Sequence, residues 1–147
     1  MKLNSRTRAR RLAMQGIYEW QMSNNNIGDI ETRLLIDSNA RHLDLELFRE
    51  LLLNVPKETD ELDMHISEYT DRPMAALDPV ECAILRLGAY ELLRRPAVPY
   101  RVVINEAVEL AKTFGAEAGH KYVNGVMDKL AVKLRKQEVA ERLKNKA

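Results

Sequence analysis

Apolar residues recur along this chain at spacings of three, four and seven, and no stretch of any length alternates strictly, so the pattern predicts helices and no strands. On a helix over Asn4–Trp20, Ala9, Leu12, Ala13, Gly16, Ile17 and Trp20 fall on one side, with Asn4 or Ser5 as N-cap. The same projection turns Tyr18, Met14 and Met22 away from that side. After a polar turn at Ser23–Gly28, Ile30, Leu34 and Leu35 mark a short second helix ending around Asp37–Asn39. From Leu45, the positions Phe48, Leu52, Val55, Leu62, Ile66 and Tyr69 keep one apolar phase across Pro56, which predicts one long helix kinked at the proline.

Asp78-Pro79-Val80-Glu81 is a helix start: Asp78 caps, Pro79 fits the first helical position, and Glu81 stands where a capping box places its carboxylate. That helix runs to about Leu93. Pro96 and Pro99 bracket a connection to a helix over Tyr100–Phe114, with Gly115 at its C-terminus. A last helix from about Ala118 places Val123, Val126, Met127 and Leu130 inward, and the charged tail from Lys136 is expected to fray. The expected fold is all-α, with six to seven helices in one domain over residues 1–135 and a tail over 136–147.

Composition supports this: glycine and proline are scarce among 147 residues, and 46% are hydrophobic. The single cysteine, Cys82, excludes an internal disulfide and fits a reducing compartment. With no apolar run of membrane length and no signal-peptide core, the chain reads as cytoplasmic.

Charge changes the picture more. The net charge is only +1, yet residues 1–11 carry five bases and no acid, and residues 29–81 carry fourteen acids against five bases. Arg6, Arg8, Arg10 and Arg11 crowd the start of the first helix, where positive charge opposes the macrodipole at roughly 0.3–1 kcal/mol each. No acid lies at the i+3 or i+4 positions to pair with them. A polyanionic partner explains that arrangement better than solvation alone.

Catalytic patterns are missing. His42, His65 and His120 are far apart in sequence, with no second histidine or cysteine at helical spacing, so neither a metal nor another cofactor is expected. Cys82 lies one turn into a helix, where its thiol pKa could fall, but a buried inert cysteine is the simpler reading. Gly115–Lys121 approaches a phosphate-binding loop but lacks the spacer and the hydroxyl residue after the lysine. Lys121 and Tyr122 precede the inward Val123, which sets a cation beside an aromatic near the surface, the pair that single-stranded RNA binding uses.

Taken in order, Arg6-Thr7-Arg8-Ala9-Arg10, Leu85-Arg86-Leu87, Tyr90-Glu91-Leu92, Val98-Pro99-Tyr100, Ile104-Asn105-Glu106-Ala107, Leu110-Ala111-Lys112 and Tyr122-Val123-Asn124-Gly125-Val126 resemble the bacterial NusB family of transcription antitermination factors. The match spans about residues 2–131. The resemblance implies a non-enzymatic protein of two small helical bundles sharing the arginine-rich first helix. It implies binding, with the ribosomal protein NusE, to the boxA element of ribosomal-RNA leader transcripts, and assembly with other Nus factors on RNA polymerase to suppress termination.

An RNA role carries over to Lys2, Arg6, Arg10, Lys121 and Tyr122; Arg8 and Arg11 join them from the arginine helix itself. The NusE-facing role carries over to Tyr18, Met22 and Glu81. Thr7, Arg11 and Ala118 depart from the family's usual residues, so an RNA-tuning role for an acid at 118 does not carry over. Some members dimerise through the surface that would bind RNA, which brings a homodimer within reach. A similar helical domain precedes the catalytic domain of certain rRNA cytosine methyltransferases, a reading disfavoured because no catalytic domain follows here.

Overall fold

The computed structural model describes residues 3–38 and 41–146, and every regular element among them is helical. Contacts divide the chain into two compact units, Met1–Thr59 and Asp60–Ala147.

The first unit holds α1 (Ser5–Ser23), α2 (Ile27–Ser38) and α3 (Leu45–Lys57), with α1 packed on both of the others. Asn4 caps α1, its side chain accepting from the Thr7 N–H at 2.8 Å. Asn24 ends the helix in the left-handed region (φ 57°), its N–H donating to the Trp20 carbonyl. Gly16 permits a close approach: a Cβ there would stand 2.7 Å from Leu52 Cδ1 and 3.0 Å from Leu34 Cδ1. Asp44 ties two helix starts together. Its carboxylate accepts from the Leu47 N–H at 3.0 Å to cap α3, and its own N–H donates to the Ser5 carbonyl at 3.1 Å.

The expected single helix over Leu45–Tyr69 is two helices. α3 stops at Lys57 and α4 runs over Thr59–Ser67. Pro56 has no N–H to give the Leu52 carbonyl. Two residues on, the Glu58 N–H is shared between the Asn54 and Val55 carbonyls, and the Thr59 hydroxyl donates to the Val55 and Pro56 carbonyls at 3.0 Å each. The apolar phase survives the break because Val55, Leu62 and Ile66 are all buried.

The second unit holds α4, a 3-10 turn at Met74–Ala76, α5 (Pro79–Arg94), α6 (Tyr100–Phe114), α7 (Gly119–Leu134) and α8 (Lys136–Lys146). α5, α6 and α7 pack on one another, and α8 rests on α7. Arg86 makes a bidentate pair with Asp63 at 2.9 and 2.8 Å, and Lys133 reaches Glu68 at 2.8 Å, so α4 is tied to α5 and α7. Asp78 caps α5 as expected, accepting from the Val80 and Glu81 N–H groups. No described helix is long and apolar enough to cross a membrane.

The C-terminal segment is not a frayed tail. Arg135 is buried, and its guanidinium donates to the carbonyls of Leu92 (2.7 Å), Val98 (2.9 Å), Glu91 (3.1 Å) and Arg95 (2.9 Å) and to the Glu138 carboxylate (2.6 Å). One side chain thereby bonds two carbonyls in the last turn of α5 and two just past its end. Glu138 in turn accepts from the Tyr100 N–H at 2.9 Å, capping α6 from a residue thirty-eight positions away. Such long-range caps carry no local sequence signature.

Arg135→Ala strands several buried carbonyls and the Glu138 carboxylate, so it is expected to cost about 3–5 kcal/mol, with Arg135→Lys recovering only part. Urea unfolding followed by far-UV circular dichroism reads this. Trp20, the one tryptophan, reports on the first unit.

Candidate functional site

The first unit presents its chemistry on α1. The buried residues Ala9, Arg10, Leu12, Ala13, Met14, Gly16 and Ile17 cover an arc of roughly 200° at about 100° per residue. Within the remaining arc of roughly 160°, Arg8, Arg11, Gln15, Tyr18 and Met22 fall in one stripe of roughly 80°.

Two expectations fail on that arc. Arg10, expected to face outward with the other arginines, is 2% exposed, and Met14, also expected outward, is buried. They are four residues apart and share one edge of the helix, so the packed face is wider than the alanine and leucine pattern indicated. An arginine inside such a pattern reads as polar and outward until packing shows otherwise.

The remaining described sites of the first unit, Arg6, Arg8, Arg11, Tyr18 and Met22, are exposed or half-buried. Lys2 lies outside the described residues. Arg6 is exposed, with the Asp44 carboxylate 3.9 Å away. Arg8 is half-buried and donates to the Leu3 carbonyl at 3.4 Å, and Arg11 is also half-buried. Arg8 and Arg11, with Arg41, Gln15, Ser38 and the apolar Leu3, Leu12 and Leu43, line a cleft of about 200 Å³. Further along α1, Tyr18 is 36% exposed and Met22 59%. The stripe passes from cationic to apolar as it leaves the N-terminus.

Elsewhere the acid-rich middle of the chain absorbs arginines. Arg33 pairs with Glu19, Arg49 with Glu31 at 2.7 Å, and Arg94 with Glu61 at 2.8 Å.

The second unit gathers a different group at the start of α7. Lys121 is exposed and Tyr122 half-buried. The Tyr122 hydroxyl donates to Asp71 Oδ1 at 3.1 Å. Arg72 donates from Nε to the same oxygen at 2.9 Å, and its Cζ stands 5.1 Å from the Tyr122 ring centroid. The cation beside the tyrosine is therefore Arg72, from the connection before α5, as well as its chain neighbour Lys121.

Bonds from Arg72, and then from Tyr122, hold the Asp71 carboxyl below its usual range. Burial, followed by the bond to Asp71, raises the Tyr122 phenol.

Glu81 does not complete a capping box. Its carboxylate turns toward α7, where a Cβ at Gly119 would stand 3.2–3.5 Å from it. Burial and then the neighbouring Asp78 raise its pKa, and Arg72 opposes them. Ala118, just before α7, adopts φ 67°, a left-handed conformation that costs a non-glycine residue about 1–2 kcal/mol.

Sequence reasoning missed Arg41, Asp71 and Arg72. All three lie in connections, where helical periodicity assigns no face; the only signal was an arginine in an irregular segment.

Among the described residues no group of three or more His, Cys, Asp or Glu is placed to hold a metal ion. Cys82 is 5% exposed, and burial raises its thiol pKa, aided by Asp63 and opposed by Arg86. The helix-start effect does not win.

The arrangement defines an all-helical protein whose accessible chemistry is cationic and stacking. Residues 7–132 match the NusB family model, and the chain belongs to the NusB family. It is 50% identical over 139 residues to the transcription antitermination protein NusB of Nitrosococcus oceani, covering 95% of this chain and 93% of that one. Identity to the NusB of Shewanella piezotolerans is 54% over 133 residues, 90% and 98% of the two chains.

Among solved structures, NusB of T. maritima superposes with a TM-score of 0.77 at 26% identity, covering 95% of this chain and 99% of that one. A structure of the antitermination factors NusB and NusE in complex with double-stranded RNA superposes at 0.79 and 27% identity, covering 86% and 95%.

A thiol reagent near pH 7 is expected to label Cys82 at least about a hundredfold more slowly in the native protein than in urea, because reaction awaits opening of the core. Rapid native labelling would show a reactive thiol.

Proposed function

We propose that this chain is an RNA-binding transcription antitermination protein of the cytoplasm, and not an enzyme. With NusE it binds boxA RNA of ribosomal-RNA leader transcripts, and the pair joins other Nus factors to help RNA polymerase resist termination. Membership of the NusB family supports this, as does the solved relative bound to NusE and RNA. The observation that carries it within this chain is the cleft where Arg8, Arg11 and Arg41 meet.

RNA phosphates engage Lys2, Arg6, Arg8 and Arg11 on the first unit, and Lys121 with Tyr122 serves the second. Arg10 is assigned to holding α1 in its packing, because a side chain so enclosed cannot touch a ligand without leaving its place. NusE engages Tyr18 and Met22, the apolar end of the α1 stripe, and Glu81 on the second unit. An exposed tyrosine and methionine suit a protein interface better than a phosphate backbone.

The test is affinity for a boxA-like RNA against a scrambled strand and a duplex, with and without NusE, at two salt concentrations. Preference for single-stranded boxA, tightening by NusE and weakening by salt are expected. Equal binding of boxA and scrambled strands contradicts specificity. Arg8→Ala combined with Arg11→Ala should lower the slope of log affinity against log salt by about two, with NusE binding unchanged. Arg10→Ala should instead lower the unfolding temperature.

A further inference from the structure

We propose that Arg72 and Tyr122 form a seat for one unpaired RNA base, and that Asp71 holds the seat in shape. This rests on the RNA-binding reading above and adds two residues to it.

The connection before α5 brings Arg72 to the ring of Tyr122, with Cζ 5.1 Å from the centroid. A guanidinium at that distance is attracted to the ring and extends its flat surface, and nucleobases stack on both arginine planes and aromatic rings. Both groups hydrogen-bond one carboxylate oxygen, Asp71 Oδ1, which fixes the arginine by its Nε and the tyrosine by its hydroxyl. Asp71 is itself exposed.

Arg72 remains 46% exposed at its side chain, so it is held in place without being covered. Exposed Lys121, one residue from Tyr122, supplies a cation for the adjoining phosphate. A lysine at 72 could neutralise a phosphate equally well but offers no plane to a base. An acid inside an RNA-binding surface ordinarily weakens binding by repulsion. Asp71 therefore makes sense at this place as a positioning residue.

These roles give opposite signs for the same substitution. Affinity of the full chain for the boxA-like strand is measured for the wild type, Arg72→Ala, Arg72→Lys and Asp71→Ala across a salt series, with unfolding temperatures recorded alongside. Arg72→Ala should bind about tenfold more weakly, within the range for loss of a stacked base, and lose about one unit of salt slope. Arg72→Lys should keep the slope and still bind several-fold more weakly. Asp71→Ala should weaken binding although it removes a negative charge.

Unchanged affinity in Arg72→Ala, full rescue by lysine, or tighter binding by Asp71→Ala overturns the seat while the RNA reading stands. Failure of the wild type to bind the strand overturns both. Unfolding temperatures of these exposed variants should stay near the wild-type value, which separates loss of the seat from loss of the fold.

Discussion

The width of the buried face of α1 is the constraint on which the first unit depends. The small and aliphatic positions Ala9, Leu12, Ala13, Gly16 and Ile17 alone span roughly 140°, which leaves Arg10 just past their edge. α1 is packed over more than half, and Arg10 and Met14 go inward with the alanines. The remaining stripe is narrow, and its residues are forced into one line. Cations come first, at Arg8 and Arg11, with Tyr18 and Met22 further along. The proposed division of one helix between a polyanion and a protein partner rests on that order.

Burying an arginine is costly unless its donors are matched. Arg135 shows the same economy in the second unit, where one guanidinium closes the end of α5 and Glu138 caps the start of α6. Both arginines look like surface charge in the sequence. In each case a residue type usually given to solvent or ligand is used inside the protein, so the number of arginines alone overstates the cationic surface.

Much of the fold was legible from spacing and caps. Asn4, Asp78, Pro79 and Gly115 mark helix ends that the structure places within a residue or two of expectation. The two differences have separate physical causes. The break at Glu58 depends on a threonine hydroxyl competing for carbonyls just after a proline, while the apolar phase continues as though nothing intervened. α8 is held through Glu138, which accepts from the start of α6 and from Arg135, itself bonded to the end of α5; its own residues, with few apolar side chains, gave no sign of a docked helix.

The candidate site was legible where it lies on helices and dark where it lies between them. Tyr122 and Lys121 could be placed because Val123 points inward. Arg41, Asp71 and Arg72 could not, since a connection has no period to read. Backbone amide NMR shifts during titration of the boxA-like strand map the RNA-bound surface most directly. The largest changes are expected around Arg8, Arg11 and Gln15 on α1 and around Asp71, Arg72, Lys121 and Tyr122, with α8 silent. Changes centred on α8, or on the acid-rich faces of α3 and α4, would contradict this assignment.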